Sequence, residues 1–274
     1  MNPDQSCDFN DTLRLRIDKL PRMSDATHPI REAMAHVAQL RQVAMADTAL
    51  SQALNCVKQL QAQRFKATYP DLLSQPVFAP SATFFLDELY SAQDFSQRDA
   101  QFVRIADAIE RTFPAAVLST VHTLTQLHSQ TEALDFAMAQ AWQNTPAGSH
   151  AARYVAAWRA VGQRGARHWQ LQTVLEVGNT LGQLTRKPGL RLLLKLMRRP
   201  AELAGLGKLQ GFLESGFDHF ATMAKARAVA QFLATIHSRE TGWIALLSDA
   251  DALACEAELT RTLQSAICRH SLAP

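Results

Sequence analysis

Apolar side chains along this chain recur at every third or fourth position over long reaches, and strand-like alternation is hard to find anywhere. Ile30, Met34, Val37, Leu40 and Val43 follow Pro29, a residue favoured at a first helical position, and predict one helix. Leu50, Leu54, Val57, Leu60 and Phe65 carry the same spacing up to Tyr69, where Pro70 predicts a break. Phe102, Ile105, Ile109 and Phe113 form a further stripe behind Ser96 and Asp99, whose spacing resembles a capping box. Val117, Val121, Leu124, Leu127, Leu134, Met138 and Trp142 predict one long helix. Tyr154 and Trp158, and then Leu171, Val174, Leu175, Gly178 and Leu181, give two more apolar faces. A short helix is predicted over 190–199, and an uninterrupted pattern runs from Leu209 through Phe220 and Phe232 to Ile236. The expected fold is all-α, a multi-helix globular bundle of about eight to ten helices.

Residues 1–27 are polar, contain Pro3 and Pro21, and read as a flexible N-terminal segment. Residues 28–248 read as the helical domain, with a division compatible with the Pro146 and Gly148 loop at 144–149, and 249–274 as a last helix or tail. Gly178 and Gly182, like Gly207 and Gly211, are spaced so that two helices could approach closely.

Length changes the picture little: 274 residues suffice for a buried core. The 47% hydrophobic and 19% charged content argues against disorder through the middle of the chain. A net charge of +3 is too small a surplus to suggest a nucleic-acid partner. No apolar run long enough to span a bilayer is present, and the start of the chain, with Asp4, Asp8 and Asp11, lacks a secretory pattern. Cys7, Cys56, Cys255 and Cys268 lie far apart without a CxxC pair, so a reducing cytoplasm is expected.

Three clusters could carry chemistry. Asp87, Glu88, Tyr90, Asp94, Arg98 and Asp99 interleave with Phe84, Phe85 and Phe95, and unlike neighbours can pull carboxyl pKa values apart for acid/base work. The structural alternative makes Asp99 a capping residue and Asp94 and Arg98 a one-turn pair, and the pattern favours it. His128, Glu132 and Asp135 share one side of the long helix, a spacing able to supply metal ligands. No Glu-x-x-His pair accompanies them, so no metal and no cofactor is expected.

The third cluster spans 186–208, where Arg186, Lys187, Arg191, Lys195, Arg198, Arg199 and Lys208 face a single acid, Glu202. Arg191, Lys195, Arg198 and Arg199 fall on one arc of a helix, away from Leu192, Leu193, Leu196 and Met197. Such a basic amphipathic helix would take an acidic protein partner or an anionic membrane surface, whereas nucleic acid is disfavoured because no aromatic residues are interleaved with it. The leading reading is a non-enzymatic interaction protein; the alternatives are an enzyme or cofactor carrier at the polar clusters, and a peripheral membrane protein. Motifs of the common hydrolases and nucleotide binders are absent from the sequence. Oligomeric state has no sequence signal.

The segments 64–69 (RFKATY), 84–99 (FFLDELYSAQDFSQRD) and 204–217 (AGLGKLQGFLESGF) resemble an uncharacterised family of bacterial helical proteins. That family carries Phe-Phe-Leu-x-Asp-Leu-Tyr-Gly followed by Asp-Phe-x-x-Arg-Asp. Here Glu88 and Ser91 depart from the pattern, and the turn after Tyr90 lacks its glycine. The resemblance implies a helical fold and no established activity.

Overall fold

The computed structural model describes residues 29–88, 91, 93–112 and 115–270. The segment 1–27, Cys7, Tyr90, Phe113 and the side chains of Ile109, Cys268 and His270 lie outside what is described. The described residues form twelve α-helices and no strand. These are α1 (Pro29–Ala46), α2 (Thr48–Thr68), α3 (Pro70–Ser74), α4 (Ala79–Glu88), α5 (Ser96–Thr112) and α6 (Ala115–Gln143). Then come α7 (His150–Val161), α8 (Arg164–Leu184), α9 (Leu190–Leu203), α10 (Gly207–Lys225), α11 (Val229–Asp249) and α12 (Ala252–His270). The fold class matches the expectation, with more helices than the predicted eight to ten.

Two of the extra boundaries have local causes. Asp47 leaves the helical region and its carboxylate accepts from the Ala49 and Leu50 amides at 2.9 and 3.1 Å, satisfying two orphan donors and separating α1 from α2. Arg227 sits at φ 57°, in the left-handed region, which ends α10 and lets α11 start at Val229, although the apolar pattern runs straight through. At 144–149 the chain turns between α6 and α7, and the Ser149 hydroxyl accepts from the Ala152 amide at 2.9 Å to cap α7.

The long α6 is the axis of the bundle, packed against α1, α2, α7 and α8. α12 closes over α2 and α7, and α11 lies along α8. That last contact explains one glycine pair: a Cβ at Gly178 would stand 2.7 Å from Leu233 Cδ2, and one at Gly182 would stand 3.1 Å from Val229 Cγ1. Gly207 and Gly211 face open space, so the second pair does not mediate a close approach.

The larger apolar core joins Val57, Tyr69, Phe85, Trp142, Tyr154, Phe220 and Phe232 with their neighbours. A smaller core of Ile30, Met34, Val37, Phe102, Val121 and Leu209 ties α1 to α5, α6 and α10. The helix α9 packs on α10 and stands at the margin of the bundle, with Gly189 (φ 85°) and Gly205 (φ 71°) at its two ends. Only glycine adopts those angles without strain.

Candidate functional site

The polar residues of α6 face three different neighbours. His128 Nε2 lies 3.0 Å from Asp99 on α5, and the same carboxylate accepts from Arg41 of α1 at 2.7 Å. Burial alone would raise the Asp99 carboxyl, but the His128 ring and the Arg41 guanidinium outweigh it and hold the group below the usual carboxylate range. Glu132 accepts twice from Lys58 of α2, at 2.7 and 2.8 Å. Asp135 accepts from Gln61 at 3.1 Å, and complete burial pushes its carboxyl up against the pull of Lys58. The three therefore do lie along one side of α6, each bonded to a different partner. Among the described residues no three His, Cys, Asp or Glu side chains stand close enough to hold a metal ion.

The segment around α4 and α5 is wired differently from the sequence expectation. Asp99 does not cap α5; Asp94 does that work, accepting from the Ser96 amide at 2.9 Å and from its hydroxyl at 2.8 Å. These bonds hold the Asp94 carboxyl below its ordinary value. Arg98 turns away from Asp94 to the Glu88 carbonyl (3.0 Å) and carboxylate (3.2 Å), and its guanidinium sits between the rings of Phe95 and Phe212 at 4.1 and 4.7 Å. A buried Asp99 can meet Arg41 because α1 crosses α5, a contact that spacing along one helix cannot reveal. Asp87 is exposed, and its carbonyl accepts from the Ser91 hydroxyl at 2.9 Å. These residues form a polar belt between the helices, and neither of the two pockets found among the described residues is lined by Asp87, Asp94, His128 or Glu132.

The buried ion pair of Arg64 and Glu240 has no counterpart in the sequence pattern. Glu240 of α11 receives both terminal nitrogens of Arg64 at 2.9 and 2.8 Å and the Tyr69 hydroxyl at 2.8 Å. The one available signal was Arg64 itself, one turn beyond Leu60 and beside Phe65 on a buried stripe, a place where an Arg requires an acid.

The basic helix α9 is where composition and geometry meet. At about 100° per residue, Leu190, Leu194, Met197 and Ala201 share the inner arc. Leu194 and Ala201 are buried there. Arg191, Lys195, Arg198 and Arg199 occupy the next arc, outside. Arg191 pairs with Asp218 at 2.8 Å and Arg198 with Glu214, both on α10; exposed pairs of this kind contribute little to stability. Lys195 and Arg199 make no ion pair with another described residue. Beyond them lies an arc absent from the sequence picture: Leu192, Leu196 and Leu203 are 61%, 67% and 91% exposed. The sequence marks Leu192, Leu193 and Leu196 as apart from the cations, but it does not say that they are exposed, and it does not single out Leu203.

Behind α9 lies a cavity of about 280 Å³. Its walls come from α4, α5, α6, α8, α9 and α10, and include Phe85, Val121, Leu181, Leu194, Phe212 and Phe217. Among the described residues, Thr120 and Gln210 are the only ones in the lining with polar side chains. The Gln210 amide is committed to the Leu194 carbonyl at 2.7 Å and to Glu214 at 2.8 Å. A shallower depression lined by Arg239, Trp243, Glu258 and Arg261 contains none of the candidate site residues read from the sequence.

Among the described residues no helix is long and apolar enough to cross a membrane. Residues 40–253 match a family model described as "Domain of unknown function (DUF8198)". No curated protein and no solved structure matches the chain.

Proposed function

Because the chain belongs to the family of domains of unknown function whose model spans most of its length, we propose a role from the site itself: a non-enzymatic interaction protein that docks reversibly on an anionic bilayer through α9. The observation that carries this reading is the exposure of Leu192, Leu196 and Leu203 beside Lys195 and Arg199 on the outer side of one helix. Leucines that enter the headgroup boundary while flanking cations meet anionic lipid are the two components of interfacial helix binding. Charge complementarity sets the occupant: with Glu202, Glu214 and Asp218 included, 186–218 still carries seven cations against three acids. The inner face of a cytoplasmic membrane suits the reading, since Cys56 and Cys255 are free thiols. The polar belt supports a non-enzymatic role, since its charged groups are spent on one another within the bundle.

Co-sedimentation with vesicles of phosphatidylcholine, with and without phosphatidylglycerol, tests the proposal. The protein should bind only vesicles containing the anionic lipid and be released by high salt. Replacing both Lys195 and Arg199 by Gln should weaken binding about thirtyfold, a factor of about five for each cation. Leu192→Asp with Leu196→Asp should abolish it while leaving the circular dichroism unchanged, because both side chains are outside the core. Indifference of the wild-type protein to both vesicle types would refute the reading and turn attention to an acidic protein face.

A further inference from the structure

We infer that the cavity behind α9 is a binding site for the hydrocarbon chain of a single-chain anionic amphiphile. The inference rests on the cavity and not on the docking reading. At about 280 Å³ it is nearly twice the roughly 150 Å³ at which an apolar cavity already takes up benzene. Water is a poor occupant, because a buried water needs two to four polar partners and among the described residues the lining has only Thr120 and Gln210, the latter's amide nitrogen already engaged twice. A charged or hydrogen-bonding ligand portion would be stranded among phenylalanine, leucine and valine side chains. The part of the ligand inside is therefore hydrocarbon.

The wall running from Leu184 to Leu209 sets the head group. It is drawn from the stretch that holds Arg186, Lys187, Arg191, Lys195, Arg198, Arg199 and Lys208, seven cations against Glu202 and the two acids Glu214 and Asp218 that follow on α10, so the field outside this wall favours an anion. The same segment lends itself to entry. α9 contributes Leu190, Leu194, Met197 and Ala201 to the wall, packs mainly on α10, and is joined at Gly189 and Gly205. A tail can enter where one marginal helix makes the wall more readily than through the axis of the bundle.

Binding to the full-length, delipidated protein is read by the fluorescence of N-phenyl-1-naphthylamine, displaced by hexadecanoate or by hexadecanol. The expected result is a saturable gain in fluorescence, reversed by hexadecanoate at lower concentration than by hexadecanol. Leu181→Trp, which fills the cavity from α8, should weaken the probe roughly tenfold or more. Leu213→Ala enlarges the same space, so it should keep probe binding and shift the preferred carboxylate to a longer chain, which decides the matter if the tryptophan variant does not fold. The double variant Lys195→Gln, Arg199→Gln should still bind the probe even where it no longer sediments with vesicles, which separates this site from the docking face. No fluorescence gain with the wild-type protein, or equal displacement from a folded Leu181→Trp protein, would overturn the site; equal potency of acid and alcohol would overturn the anionic head.

Discussion

Glu240→Ala should lower the stability of the protein by about 4 kcal/mol, because it leaves a guanidinium buried without its counter-ion. Arg64 is buried within the bundle, is held by both carboxylate oxygens, and lies 5.4 Å from the centre of the Trp243 ring. Burial works against the charged form of Arg64, and the Glu240 carboxylate more than compensates, pushing its pKa above the ordinary arginine value. The same substitution removes the carboxylate oxygen to which the Tyr69 hydroxyl donates at 2.8 Å, on a side chain with no exposure at all. In thermal unfolding the loss corresponds to a fall in midpoint of about 10 °C. Arg64→Leu combined with Glu240→Leu and Tyr69→Phe should regain most of it, since an apolar replacement of a buried pair is often neutral. Equal instability of the single and the triple variants would show that the pair matters for something other than mutual neutralisation.

Asp99→Ala should cost about 3 kcal/mol at neutral pH, because Arg41 and His128 lose the carboxylate they share and Arg98 remains buried beside it. The pH dependence has a definite sign. The folded protein holds the Asp99 carboxyl below its ordinary value, so the contribution is fully present above the ordinary carboxylate range and disappears as pH falls through the lowered value. Asp99→Asn should therefore be less stable than the parent at pH 7, and the gap should narrow below about pH 4. Urea denaturation across that range measures it. A gap that stays constant with pH would mean that the ionised carboxylate is not what holds α1, α5 and α6 together.

The sequence carries the fold class clearly, because apolar stripes such as Val117 to Trp142 leave little choice but a helix, and because Pro70 and the 144–149 loop mark real ends. It hides the break at Arg227, where a left-handed residue ends a helix without glycine or proline. Asp99 shows how a local rule is overridden. Ser96 and Asp99 match a capping spacing, yet the crossing of α1 supplies Arg41 and a better use for the carboxylate, and Asp94 caps instead. His128, Glu132 and Asp135 are read correctly as sharing one side of a helix, while their partners Asp99, Lys58 and Gln61 depend on packing that no single helix encodes.

The candidate surface was half legible. Four cations at helical spacing announce a basic arc, and the structure places that arc outside. Whether Leu192 and Leu196 meet the core depends on which way α9 is rolled, and that is decided by Leu194 and Ala201 turning inward over the cavity. The cavity itself leaves no trace in the sequence: its lining comes mainly from six helices, and its apolar residues, such as Phe85, Val121 and Leu181, read as ordinary core.

Hydrogen–deuterium exchange of the full-length protein, with and without vesicles containing phosphatidylglycerol, addresses the docking role of α9 most directly. Slowed exchange concentrated in 190–203, with the amides of α1 and α6 unchanged, is the predicted result. Unchanged exchange in 190–203, or protection centred on the Asp99 and His128 belt, would contradict it.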